Sequence, residues 1–545
     1  MAKRVPITAG DLTHHEIGTN DVLAGAADVI NLLYGDAGGS LLDYAIGGND
    51  TFTGGTNSTN FFVGDAGRDI TNHATGGADT FTGGADSINI LIGDAGGNMS
   101  DHATGGDDTF SGGDAHFDRP STNITYGDVY DSMSGYARGG NDTYTSGILA
   151  TNTFYGDAGG NMADHASGGQ DTFITGPALS RYGATPTTFF GDAGESMSGY
   201  TKGGDDALAT NGHSNNIYFY GDAGGNMSNR ALGGNDAFTT SGVQDNYFFY
   251  GDAGGNLSGH ASGGDDILSF LPHPGGAMND FSYFYADAGG DMLEFARGGN
   301  DTMDSATNDF GQATFFGDAG GNMRDHSVGG DDTFIGGPNA FFCLAYGDAL
   351  TMSGYAYGGN DTLIAGSVFS GGYSTLVGDA QNMSDKAHGG NDKLISGTGN
   401  DDMWGDAQVM LGLAKGGNDY FAFNFNSGHD KIEDFGQGLS NLGIDHIDVS
   451  TLGIVNFSDL TISAFDPTTH QSTITFNAGN DIVVHSEEPL RPQDFIFAPP
   501  SSDLRSGAGP PSASAMKGGP RLFVKRETLP GSKFPVPPGS PLSQN

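Results

Sequence analysis

The chain has 545 residues, with 95 glycines, 66 acidic against 21 basic side chains, and a formal net charge of −45. Glycine far above the usual ~7% makes the chain turn-dense, yet it falls well short of the one in three of a collagen triple helix. A 36% hydrophobic and 10% aromatic content allows a packed core, and the surplus negative charge excludes nucleic acid and anionic lipid as partners.

The single cysteine, Cys343, excludes an internal disulfide and reads as a small buried hydrophobe. Residues 1–15 form a leader without the apolar run of a cleaved secretory signal, and no stretch of about 18 apolar residues follows that would cross a membrane.

From residue 16 to 425 the chain repeats. One signature, Gly-Asp-Ala, places Asp36, Asp65, Asp94, Asp128, Asp157, Asp192, Asp222, Asp252, Asp287, Asp318, Asp348, Asp379 and Asp406 at intervals of 27 to 35 residues, with Val129 and Ala286 as lapses from the tripeptide. A second, Gly-Gly-x-Asp, alternates with it and places Asp50, Asp79, Asp108, Asp142, Asp171, Asp206, Asp236, Asp266, Asp301, Asp332, Asp361, Asp392 and Asp419. The step from the first signature to the second is nearly constant, whereas the return segment varies and carries the loops, among them 113–125 and 176–188.

Ten of the fifteen methionines occupy one slot between the signatures, and four residues later comes a small residue such as Ala74 or Ala103. Two residues after each second-signature Asp stands Phe52, Phe81, Phe110 or a similar side chain, and aromatic residues such as Tyr126 and Tyr155 precede Gly-Asp-Ala. Short strands between glycine turns, stacked so that like meets like, account for these columns. The methionines are therefore read as core, and His73, His102, His165, His260 and His326 as a stacked surface column rather than a zinc site. The shortest interval fits either one three-sided coil per repeat or one and a half coils. Like-on-like stacking favours one.

Glycine-rich turns that point carbonyl oxygens inward and close on an Asp make a cage for a hard cation. Calcium is expected, because the oxygen-only donor set lacks the Cys and His of zinc sites.

The nonamers Ala387-His-Gly-Gly-Asn-Asp-Lys-Leu-Ile395 and Ser396-Gly-Thr-Gly-Asn-Asp-Asp-Met-Trp404 resemble the repeats-in-toxin, or hemolysin-type calcium-binding, family, whose repeat is G-G-x-G-x-D-x-U-x. Residues 426–497, with Asp430-Lys-Ile-Glu-Asp-Phe435 and Asp494-Phe-Ile-Phe497, are similar to the capping and secretion region of serralysin-type proteins. Residues 498–545 are proline-rich and basic and read as a disordered tail.

The resemblance implies an all-β parallel β-roll or β-helix solenoid that folds on extracellular Ca²⁺ and leaves the cell by type I export. Its calcium ligands would be the second-signature aspartates with Asp401 and, as weaker ligands, the aspartates of Gly-Asp-Ala other than Asp128 and Asp287. Where the family closes the next turn with Asp, this chain has Asn98, Asn161, Asn226, Asn256, Asn322 or a Ser, which implies weak calcium ligation or none there.

His15-Glu16 is followed by Thr19, so no H-E-x-x-H zinc helix is present, and no G-x-S-x-G elbow occurs. The expectation is a non-catalytic, secreted calcium-binding protein. The alternatives are an adhesin that meets a cell-surface or matrix glycan or protein through its loops, and a polysaccharide-acting enzyme on the coil face.

Overall fold

A computed structural model describes residues 3–4, 9–116, 118–175, 186–210, 216–240, 246–271, 281–306, 312–477 and 479–499. Most of the 176–188 loop and the tail from residue 500 lie outside these residues, and chain contacts separate Met1–Pro499 from Pro500–Asn545.

The chain opens with β1 (Lys3–Arg4), β2 (Glu16–Ile17), β3 (Val22–Ala24) and β4 (Ile30–Tyr34), and then winds as a parallel β-solenoid. Each coil has three sides. Side one starts at β3 and continues through Thr51–Thr53, Thr80–Thr82 and Thr109–Ser111 as a sixteen-stranded parallel sheet ending at Phe495–Ile496. Side two starts at β4 and continues in register through Thr59–Val63 and Ile88–Ile92, with register shifts only later, where Pro338–Tyr346 pairs with Ser367–Val377 and in the terminal strands. Side three is held by parallel bridges such as Ala37 to Ala66, Leu41 to Ile70 and Ile46 to Thr75, widening into short strands where Met197–Gly199 pairs with Met227–Asn229 and again from Ala319–Met323 onward.

One repeat makes one coil, since Asn31 pairs with Asn60 and Phe52 with Phe81, each the same position one repeat on. Coiling by whole repeats brings identical side chains together, and the sequence is built for it. The rings of Phe52, Phe81 and Phe110 stack at 4.7 and 4.8 Å between centroids, close to the spacing of adjacent strands. They share an apolar core between sides one and two with Phe62, Leu91 and Phe154. A separate core under side three holds the alanine and methionine columns, including Ala66, Met99 and Ala103. The buried methionines thus pack, as their slot predicts.

A polar column also lies inside. Asn31, Asn60, Asn89, Asn123 and Asn152 occupy one inward position of side two, and each side-chain amide donates to the next Asn Oδ1 at 2.8 to 2.9 Å. Asn60 and Asn89 also accept from the turn amides of Gly55 and Gly84, so donors and acceptors are matched. On the exterior, Tyr44, His73, His102, Tyr136 and His165 stack at 4.6 to 5.0 Å, which places the histidine column on the surface.

The far end of side two is closed differently. His429–Phe435 pairs in parallel with Asn480–Ser486, which pairs antiparallel with Gln471–Asn477, itself antiparallel to Thr461–Ile462. The 426–497 segment therefore forms the terminal rungs. At the other end, Leu12 and β2 already bridge to Leu41 and Ile46, so coil contacts begin before residue 16.

Replacing Asn89 with Ala removes the acceptor of one Asn60 Nδ2 hydrogen and of the Gly84 N–H, and the donor to the Gly84 carbonyl and to Asn123 Oδ1, in a dry interior, at about 1–3 kcal/mol for each unmet group. Asn89→Ala is expected to lower the chemical-denaturation midpoint clearly, while Asn235→Ala on the exposed surface leaves it within error.

Candidate cation site

Two turns position the acidic side chains. Gly35-Asp36 and its equivalents join side two to side three, and Gly47-Gly48-Asn49-Asp50 and its equivalents join side three to side one. Both sets of aspartates point inward. Asp50, Asp79, Asp108, Asp142, Asp171, Asp206, Asp236, Asp266, Asp301, Asp332, Asp361, Asp392 and Asp419 are at most 1% exposed, and the thirteen first-signature aspartates are 0% exposed. Asp128 and Asp287, set aside because their tripeptides lapse, stand in the same column as the rest.

In the second-signature column, Oδ1 accepts a backbone N–H from the coil before. Asp50 N donates to Asp79 Oδ1 and Asp79 N to Asp108 Oδ1, both at 2.6 Å, and the ladder continues to Asp419. Oδ2 of all thirteen is buried without a hydrogen-bond partner. In the first-signature column, one carboxylate oxygen accepts from the second glycine of its own coil, as Asp65 Oδ2 does from Gly77 N at 2.6 Å. Its other oxygen is again unpartnered at Asp65, Asp94, Asp252, Asp287, Asp318, Asp348, Asp379 and Asp406.

The glycines make room for these oxygens. A Cβ on Gly64 would lie 1.7 Å from Asp79 Oδ2 and 2.0 Å from the Gly93 carbonyl oxygen. One on Gly105 would lie 1.6 Å from Asp128 Oδ1 and 2.8 Å from Asp94 Oδ2. What fills the space at both positions is oxygen; the Gly105 slot is glycine in every repeat, and the Gly64 slot in all but one, where Ala286 stands.

Burial of so many carboxyls makes ionisation costly. Burial first, and then the neighbouring aspartates, push Asp79, Asp108, Asp142 and Asp361 well above the usual carboxylate range. Burial raises Asp222 to about 6 and Asp50, Asp287 and Asp379 to about 7.

Asp401 is not in either column. It stands in the inward position of side two that holds Asn in earlier coils, directly after Ser374, and its N–H donates to Asp430 Oδ1 at 3.0 Å. Asp401 Oδ1 and Asp430 Oδ2 are buried and unpartnered, and burial lifts the two carboxyls to about 6 and about 8. This is a separate acidic pair at a third corner.

Two further residues complete the columns and were not read as sites from the sequence. Asp445 Oδ1 accepts from Asp419 N at 2.9 Å, and Asp434 accepts from Gly405 N and Asp406 N at 2.8 and 3.0 Å. Their only signal is an Asp in each of the two segments that follow the last repeat.

The positions of Asn98, Asn161, Asn226, Asn256 and Asn322 are not interior turn closures. Ser132 N donates to Asn98 Oδ1 and Asn256 N to Asn226 Oδ1, at 3.2 and 2.8 Å, in a ladder on the outer surface. Each precedes an inward Met or Leu, and adjacent side chains of an extended segment point to opposite faces.

Among the described residues, no three or more His, Cys, Asp or Glu side chains gather as a metal cluster. Two carboxylates per coil with carbonyl oxygens such as Gly93 O form the donor set, and its all-oxygen character fits a hard cation and not zinc. No family model, no curated protein and no solved structure matches the chain. Among the described residues, no helix is long and apolar enough to cross a membrane.

A carboxyl with a raised folded-state pKa favours folding below its unfolded value of about 3.9, and that contribution is lost as pH rises through the folded value. In calcium-free buffer the β content read by far-ultraviolet circular dichroism is therefore expected to be higher at about pH 5, where these carboxyls are protonated, than at about pH 8. A β content that rises with pH across that window would contradict the burial of these groups.

Proposed function

We propose that the two aspartate columns bind calcium along the solenoid and that the ions, by neutralising the buried charge, drive the fold in a calcium-rich extracellular setting. The role is structural and non-catalytic. The observation that carries this reading is a contrast between neighbouring ladders. One residue before each buried second-signature Asp from Asp108 onward runs an exposed ladder of Asp107, Asn141, Gln170, Asp205, Asn235, Asp265, Asn300, Asp331, Asn360, Asn391 and Asn418.

The exposed ladder makes the same bond from backbone N–H to side-chain oxygen, for example from Asn300 N to Asp265 Oδ1 and from Asp331 N to Asn300 Oδ1, at 2.8 and 2.9 Å. In it no two carboxylates are neighbours, although water would screen them. The buried ladder has Asp at every rung, where like charges are least tolerated. Asn would make the bond equally well, so the second, anionic oxygen is what each rung retains.

A divalent cation per coil balances two carboxylates, and calcium accepts a flexible set of carboxylate and carbonyl oxygens. The nonamers 387–395 and 396–404, with their likeness to hemolysin-type repeats, support calcium and secretion over other hard ions and settings. About 13 sites, each at ten times its Kd, would add ~1.4 kcal/mol apiece, ~18 kcal/mol together if independent.

Calcium titration followed by far-ultraviolet circular dichroism tests the reading. A coil-like spectrum in chelator should convert cooperatively to a β spectrum, and an unchanged β spectrum in chelator would defeat the proposal. Asp108→Asn keeps the ladder bond and removes the charge, so it should weaken the calcium response, whereas Asp331→Asn should not. Equal responses from the two variants would show that the buried charge has no ligand role.

A further inference from the structure

The two ends of the solenoid are finished differently. At the far end, side two is closed by the antiparallel strands Gln471–Asn477 and Thr461–Ile462, and side one ends on a strand of two residues, Phe495–Ile496. At the near end, β1 adds a rung over β2 on side three. Nothing among the described residues pairs with the outer edges of β3 and β4.

The core is open at the same end. Leu23 and Leu33 are partly buried, while Phe52 and Phe62, which take their places one coil on, are 0% exposed. Beside them Val22 is 83%, Ile30 79% and Leu32 54% exposed. Unpaired edges are ordinarily guarded by Lys, Pro, a bulge or an inward charge. β4, Ile-Asn-Leu-Leu-Tyr, carries none of these in a chain of net charge −45.

We propose that this end docks a second copy of the chain, with β4 pairing antiparallel to its twin across a two-fold axis. The strand is suited to itself. Reversed about Leu32, it sets Leu32 against Leu32 and Ile30 against Tyr34 on the outer face, apolar and aromatic pairs that favour strand pairing, with no like charges opposed. On the inner face Leu33 of each copy then stands opposite Asn31 of the other, whose amide is already bonded to Ala26 and Asn60, and adds apolar cover to the open end of the core.

Charge selects the same place. Copies approaching side by side would bring acidic ladders together, whereas β4 is uncharged. Because β4 pairs with its own twin, the contact is isologous and stops at two copies, with no filament.

Sedimentation equilibrium of the full chain in calcium tests this. The expected species is a dimer that does not grow with concentration. Ile30→Lys combined with Leu32→Lys should give a monomer with an unchanged circular dichroism spectrum, because both side chains face solvent in the single copy. Leu413→Lys, at a position 64% exposed on the last coils, should remain dimeric. A monomeric wild type, a dimer that survives the paired substitution, or open-ended oligomers would each overturn the proposal.

Discussion

Everything in this fold turns on placing two carboxylates per coil where water does not reach. A buried carboxylate is tolerated only if it is neutralised or answered by donors, and here the backbone answers one oxygen of each second-signature Asp and leaves the other open, as it does at eight of the thirteen first-signature Asp. The three-sided coil is the geometry that gathers those open oxygens into continuous lines. The glycine turns then follow, because a side chain at Gly105 or its equivalents would occupy the space of an aspartate oxygen.

The apolar parts are arranged around that constraint. Two separate cores, one aromatic between sides one and two and one of alanine and methionine under side three, flank the turns that carry the aspartates. Small alanines and unbranched methionines suit the narrow third side, where the chain bends within a few residues and strands are mostly single bridges. Wide rings suit the facing sheets, where a stack at the strand spacing fills the gap without voids. The asparagine column shows how the fold treats an interior polar position it can satisfy completely, and Asp401 with Asp430 shows the one place in that column where charge replaces amide.

Much of this was legible in the residue pattern. Alternating signatures specify a coil, and stacking like on like specifies its length, so the solenoid and both aspartate columns follow from spacing. The asparagine ladder was not legible, since its loop lengths differ from repeat to repeat and only the paired register aligns Asn89 with Asn123. Spacing put Asp128 and Asp287 in their column, and a single changed neighbour each, Val129 and Ala286, left them out of the expected ligands although both carboxylates stand buried with the rest. Asp434 and Asp445 lie beyond the periodic sequence, where only folded coils reveal that they take the next rungs. Asn98 was misplaced because a turn motif was matched before its facing was decided, although the inward Met99 beside it fixes Asn98 outward.

Register by whole repeats has a consequence for how such a chain can change length. Each coil touches only the coils on either side, and the contacts it makes on one are copies of those it makes on the other. Excising residues 65–93 would join the coil of Asp36 to the coil of Asp94, and every ring, methionine, amide and carboxylate would meet an equivalent of its former neighbour. Tandem duplication would do the same in reverse. Unequal crossing-over within a gene of this design thus yields folded products at either length, and the return loops, which sit outside the paired positions, can diverge in size afterwards without disturbing the stack.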